Sequence, residues 1–203
     1  MRLYNSIGPN PRVVRIFMAE RGITMPLVEV NVRSGENREP PYLAKNPAGQ
    51  TPALELDDGR YVTEITVICE YLDETTPGPS LIGGTAQERA ETRMWVRRID
   101  LNILEPMTNG FRFAEGLKLF QNRLLCIPQA AEDLKRTAQR NLRWLNGLMN
   151  GKTWICGERF TLADIILFSF LDFFAGLGQP IDPELGNVVA WHARMKDRPA
   201  SAA

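Results

Sequence analysis

The sequence predicts two domains of different class, a mixed α/β half over residues 1–80 and an all-helical half over residues 86–203. Up to Leu72, short β-prone runs alternate with amphipathic stretches, the pattern of strands and helices that share one sheet. Pro77-Gly78-Pro79 and Gly83-Gly84 then punctuate the chain. Beyond them every apolar periodicity is helical.

Leu3-Tyr4 lies in a short first strand ahead of a Gly8-Pro9 turn. Asn10 stands as the N-cap of the next helix, with Pro11 at the first helical position, where a missing N–H costs nothing. Val14, Phe17 and Met18 form its apolar stripe, and Gly22 follows its end. Leu27 to Val32 is a Val-rich second strand. Glu36 to Gly49 is polar, carries Pro40, Pro41 and Pro47, and reads as an irregular connection. Ala53-Leu54-Glu55-Leu56 and Arg60-Tyr61-Val62 form a hairpin around Asp57-Asp58-Gly59. Ile65, Ile68 and Leu72 then put one apolar face on a helix, which completes a βαβ–ββα order.

After a linker around residues 77 to 85, Thr85 with Glu88 is a capping box that opens a long helix. Val96, Ile99 and Ile103 line one side of it, and Pro106 stops or bends it. Ala131, Leu134, Ala138, Leu142, Leu145 and Met149 mark another helix, ending at Gly151. Thr161 with Asp164 is a second capping box, ahead of the very apolar stretch Ile165 to Leu177. Val188 to Lys196 is a last short helix, closed by Pro199. There is no internal repeat.

Composition narrows the function. The 203 residues are 44% hydrophobic, enough for one large core or two small ones. Lys and Arg number 24, as do Asp and Glu, so no net field draws the chain to nucleic acid or to anionic lipid. No apolar run approaches the roughly 18 residues of a spanning helix, and no signal peptide is recognisable, so a cytoplasmic protein is expected. Cys69, Cys126 and Cys156 fall in neither a C-x-x-C nor a zinc spacing and read as buried thiols, with no metal expected. His192 is the only histidine, which disfavours a Ser-His-Asp triad, and it reads as a packing residue of the last helix.

The βαβ–ββα order describes a thioredoxin-like domain, and specific residues narrow the resemblance. Asn46-Pro47-Ala48-Gly49-Gln50-Thr51-Pro52-Ala53-Leu54, then Asp58-Gly59, then Glu64, resemble the N-terminal pattern of the cytosolic glutathione transferase superfamily. Gly157-Glu158-Arg159-Phe160-Thr161-Leu162-Ala163-Asp164-Ile165 resembles that family's C-terminal capping motif. The likeness runs from Leu3 to Pro199 and is greatest to a bacterial and fungal subfamily that lacks the usual catalytic Tyr, Ser or Cys. It implies a thioredoxin-like glutathione-binding domain, a C-terminal helical-bundle domain, glutathione as co-substrate and a homodimer.

The resemblance also implies residue roles. Thr51-Pro52 is expected to be a cis peptide that aims the Thr51 backbone at an extended tripeptide. Glu64 would take the γ-glutamyl ammonium, and the N–H of Ile65, at a helix N-terminus, its carboxylate. Ile65 replaces the family's hydroxyl residue. Asn37 and Gln50 complete the expected glutathione site, with Arg38 and Thr66 nearby. For thiol activation, no Ser, Thr, Cys or Tyr stands between Gly8 and Arg12. Asn10 resembles an asparagine that reaches the sulfur in some relatives, while its local role is the helix cap. Ser6, Tyr4 and Arg12 are the reserves. Phe111 and Arg112 either line a small hydrophobic co-substrate's pocket or pack at the helix bend. Such an enzyme would add the activated thiol to an electrophile or reduce a peroxide or disulfide. The alternative is a non-catalytic glutathione-binding or protein-interaction protein of the same fold.

Overall fold

The computed structural model describes residues 1–203, which divide into two compact units, Met1–Ile82 with Ala200–Ala203, and Gly83–Pro199. No helix is long and apolar enough to cross a membrane.

The first unit runs β1 (Arg2–Asn5), α1 (Pro9–Glu20), β2 (Leu27–Glu29), a 3₁₀ turn at Glu36–Arg38, α2 (Pro40–Leu43), β3 (Ala53–Glu55), β4 (Tyr61–Thr63) and α3 (Ile65–Thr75). The sheet order is β2-β1-β3-β4. β1 pairs parallel with β2 and antiparallel with β3, and β3 pairs antiparallel with β4. Side chains alternate faces along a strand. The cross-strand partners Leu3 and Leu54 therefore share one face, and Tyr4 and Ala53 share the other. Tyr42 of α2 covers that second face, together with Val28 and Val30. α1 buries Val13, Val14, Ile16, Phe17 and Met18, α3 buries Ile68, Cys69 and Leu72, and the two helices pack together.

Three local expectations change. α1 begins at Pro9 with Gly8 as its cap residue (φ 119°), so Asn10 is the second helical residue and not the N-cap. A glycine tolerates that φ without a Cβ clash, and Pro9 fits the first turn as readily as Pro11 does. The second strand stops at Glu29, because the Asn31 side chain accepts from the backbone N–H groups of Arg33 and Ser34 and turns the chain. The proline-rich connection holds a 3₁₀ turn and a helical turn, with Pro40 at a helix start. The Pro77-Gly78-Pro79 segment is fastened rather than loose: the buried Arg21 guanidinium donates to the carbonyls of Asp73, Thr76 and Pro79. Asp73 in turn accepts from Ser80 Oγ and the Leu81 N–H.

The second unit is helical: α4 (Ala86–Ile99), α5 (Glu105–Arg112), α6 (Leu117–Phe120), α7 (Ala131–Leu148), α8 (Leu162–Ala175) and α9 (Gly186–Lys196). The capping box forms as the sequence predicts, with the Glu88 N–H donating to Thr85 Oγ1 at 3.2 Å and the Thr85 N–H to the Glu88 carboxylate at 3.1 Å. Between α4 and α5 the helix widens to a π turn at Asp100–Leu104. Pro106 removes the N–H that would have met the Asn102 carbonyl one turn back. Asn141 of α7 supplies the missing donor at 2.6 Å. α8 is buried on every side from Leu162 to Leu171, the mark of a central helix. α5 and α7 pack closely at Gly110, where a Cβ would meet Lys135 Cγ at 2.7 Å. α9 has no local cap; instead Asn146 of α7 accepts the Asn187 and Val188 N–H groups at its first turn.

One buried carboxylate ties this unit together. Asp164 Oδ1 accepts the Ile155 N–H at 3.0 Å and Trp191 Nε1–H at 2.9 Å, and Oδ2 accepts the Thr161 N–H at 3.0 Å. Burial pushes its carboxyl up to about 6 against those hydrogen bonds.

Candidate active site

Strand register brings distant parts of the first unit to one end of the sheet. Tyr4 pairs with Ala53, and Ala53 with Thr63. Continued past the strand ends, that register sets Ser6 beside Thr51, and Thr51 beside Ile65. Ser6 and Thr51 share a hydrogen bond between their hydroxyls at 2.5 Å. The Thr51–Pro52 peptide is cis.

The segment leading to that peptide is held by three successive carbonyls. Arg38 Nη1 donates to the Ala48 carbonyl at 3.1 Å, and Asn37 Nδ2 to that of Gly49 at 2.6 Å. Tyr42 Oη and Asn46 Nδ2 donate to that of Gln50 at 2.6 and 2.8 Å. Gly49 is itself required, since its φ is +60° and a Cβ would meet the Asn37 carbonyl and Arg38 Nη1 at 2.9 Å. Asn37 is thus buried beneath the loop and supports it; its Oδ1 has no partner in the protein. The Gln50 side chain is exposed, while its carbonyl is used within the loop.

Glu64 is the single non-glycine residue with positive φ (67°, with ψ 123°). Such a backbone costs about 1–3 kcal/mol and collects at functional sites. Its side chain is exposed. The α3 N-terminus that follows has no side-chain cap and no acidic residue in its first turn, so the amides from Glu64 to Val67 have no partner from their own helix. Uncapped helix starts favour anions. Ile65 and Thr66, at the first two helical positions, are half-buried.

At the β1–α1 turn, the Asn10 side chain makes no hydrogen bond within the protein. Of the four amide positions without a helical partner, Pro9 and Pro11 have no N–H, which leaves Gly8 and Asn10. The turn is held from behind by Arg15, whose Nη1 donates to Asn5 Oδ1 at 2.7 Å, while Asn5 Nδ2 donates to Glu29. Burial pulls the Arg15 guanidinium below its usual range. Arg12 is spoken for, donating to the Ser201 carbonyl at 3.0 Å. Tyr4 is buried in the sheet and donates to Glu55 at 2.8 Å; burial pushes its phenol up to about 12.

In the second unit Phe111 stacks edge-on to Phe120 and tilts against Phe174, with ring centroids 6.2 and 5.4 Å away. Arg112 donates to Asn109 Oδ1 and lies over the Phe120 ring. Both residues are engaged in packing among α5, α6 and α8. His192 packs on Phe168 and stands 3.6 Å from Asp172. No group of three or more His, Cys, Asp or Glu side chains is placed to hold a metal.

Sequence reasoning missed the supporting residues Tyr42, Asn46 and Arg15. Asn46 lies inside the recognisable motif, so its neighbourhood was a signal; Tyr42 and Arg15 reach their partners only through the fold.

Family models for the N-terminal and C-terminal domains of glutathione S-transferases match residues 7–75 and 127–199. Glutathione S-transferase 2 of Saccharomyces cerevisiae is 32% identical over 95% of this chain and 84% of its own length. The chain belongs to the glutathione S-transferase family. GstA, a glutathione S-transferase of Escherichia coli O157:H7, is 30% identical over 98% of this chain and 94% of its own. The crystal structure of a glutathione S-transferase domain-containing protein of Marinobacter aquaeolei VT8 superposes with a TM-score of 0.91 at 34% identity, covering 99% of this chain and all of that one. A glutathione transferase uses glutathione as co-substrate, and the thioredoxin-like unit with its helical partner domain is the family's fold.

Proposed function

We propose that the first unit binds reduced glutathione along the Thr51–Pro52 edge and stabilises its thiolate for addition to a small hydrophobic electrophile. The observation that carries this is the strand register that sets Thr51 beside the start of α3, where Glu64, the one non-glycine residue with positive φ, precedes an uncapped helix. An extended tripeptide pairs its backbone with Thr51 as an added strand. Glu64 supplies a carboxylate for the ligand's ammonium, and the first amides of α3 receive the ligand's carboxylate. Gln50 flanks the peptide from an exposed position, and Asn37 acts through the loop whose carbonyl it holds.

At the other end, the Asn10 amide and the Gly8 N–H are the donors left for the sulfur. Hydrogen bonds to the charged form lower a thiol's pKa. The thiolate then attacks the electrophile's carbon; a C–S bond forms, and the displaced group or adding carbon takes up the electron pair. Phe111 and Arg112, half-buried at the end of α5, are the side chains proposed to flank the electrophile.

Thiolate absorbance near 240 nm, titrated against pH with glutathione bound, tests the reading. The bound thiol should ionise about 1–2 pH units below the free thiol, and Asn10→Ala should return about 1 unit, the value of one charge-assisted hydrogen bond. A bound thiol with the free pKa would leave a binding protein without the chemistry. Absence of glutathione binding would remove both.

A further inference from the structure

Behind the β1–α1 turn a cation is held without a counter-ion. Asn5 and Glu29 are register partners at the ends of the parallel strands β1 and β2, so their side chains leave the sheet on the same face, that of Leu3. Arg15 of α1 meets Asn5 there. Its Nη1 donates to Asn5 Oδ1 at 2.7 Å and, at the longer distance of 3.5 Å, to the Ser6 carbonyl. Asn5 Nδ2 donates onward to Glu29 Oε1 at 2.5 Å. Asn5 is buried, so its amide stands fixed between the two charged groups and keeps them apart. Arg15 forms no ion pair with Glu29 or with any other carboxylate.

The other charges nearby do not cancel it. Glu29 is exposed, and water screens its pull. Arg12, three residues back along α1, is a like charge and opposes it. Burial is the largest influence on the guanidinium and outweighs the attraction of Glu29. A carboxylate at position 5 would have neutralised Arg15. The amide holds the side chain just as firmly and leaves its charge uncancelled, at the turn that carries the free Gly8 and Asn10 donors.

We propose that Arg15 is a positioning residue for the sulfur chemistry: fastened by Asn5 and kept out of an ion pair, it sets a positive field at the β1–α1 turn that favours the thiolate of bound glutathione. This rests on the reading that glutathione binds with its sulfur at that turn. The Asn10 amide and the Gly8 N–H touch the sulfur; Arg15 acts on it through space and through the turn it braces. Glu29 opposes that field from β2.

The test is the thiolate absorbance titration near 240 nm at low ionic strength, with glutathione bound, on wild type and three variants. Arg15→Gln keeps a side-chain donor but removes the charge, and it should raise the bound thiol's pKa by about 0.5–1 unit. Arg15→Lys keeps the charge and should stay within about 0.3 unit of wild type. Glu29→Gln still accepts from Asn5 and removes the opposing charge, so it should lower the thiol pKa by about 0.2–0.5 unit. A purely structural role for this network predicts no such opposite signs. Because Glu29 is exposed, its variant keeps the test decisive should Arg15→Gln fail to fold. A wild-type thiol bound at its free pKa removes the thiolate reading and this role with it. A depressed wild-type value that Arg15→Gln leaves in place overturns the role of Arg15 alone. So does a lysine variant that behaves like the glutamine one, or a Glu29→Gln shift that is upward or absent.

Discussion

Replacing Asp164 probes the second unit's one fully buried carboxylate. Asp164→Ala strands three buried donors at once, the N–H groups of Ile155 and Thr161 and the indole of Trp191. Each costs about 1–3 kcal/mol when left without an acceptor. Against this, the native carboxylate is itself expensive near neutral pH. Its pKa is raised from 3.8 to about 6 by burial, so the folded state holds a proton that the unfolded state has released. Stability is therefore greatest below the unfolded pKa, falls as pH rises between the two values, and is flat above about 6. A shift of roughly 2 units amounts to about 3 kcal/mol across that window. The net loss for the alanine variant near pH 7 is on the order of 3–5 kcal/mol, and it grows on acidification. Asp164→Asn keeps one oxygen for Ile155 and Trp191 but turns an N–H₂ toward the Thr161 N–H, and it never titrates. Near pH 7 it should cost about 1–2 kcal/mol or less, rising by about 3 kcal/mol near pH 4 as the native side chain takes up its proton. Urea unfolding of the three proteins from about pH 4 to pH 7, followed by tryptophan fluorescence and far-UV dichroism, measures this. A wild-type-minus-asparagine difference that stays constant across that range would refute the titration. An alanine variant within about 1 kcal/mol of wild type would refute the three-donor reading.

Two further substitutions test the supports of the structure. Asn37→Asp keeps the shape of the side chain but cannot donate to the Gly49 carbonyl, and it should raise KM for glutathione by about tenfold while kcat changes far less; an unchanged KM would mean the loop needs no such prop. Gly110→Ala forces a methyl against Lys135 and the Ala131 carbonyl and should destabilise the protein by about 1–3 kcal/mol, read from the urea midpoint, with the glutathione thiol pKa unmoved.

The helical half was legible because its signals are local. Thr85 with Glu88 and Thr161 with Asp164 are capping pairs three residues apart, and such pairs act within a single turn, so their spacing is their geometry. The hairpin around Asp58-Gly59 was legible for the same reason. The start of α1 was not. Pro9 and Pro11 are equally good first-turn residues, and a glycine with positive φ at the cap competes with an asparagine side chain at almost no cost in local energy. That one-residue difference frees the Asn10 amide, and the thiol chemistry proposed here depends on it.

From residue types and spacing alone came the two-domain order and the capping boxes, while the glutathione motif around Thr51 came from the resemblance to the family. What tertiary structure decided is which polar groups are still free. Asn37 and Arg12 are used up on the Gly49 and Ser201 carbonyls, Phe111 and Arg112 are engaged in packing, and the Asn102 carbonyl opened by Pro106 is met by Asn141 of another helix. A buried donor or acceptor must find a partner wherever the chain happens to bring one. Those partners lie tens of residues away, so no local pattern records them.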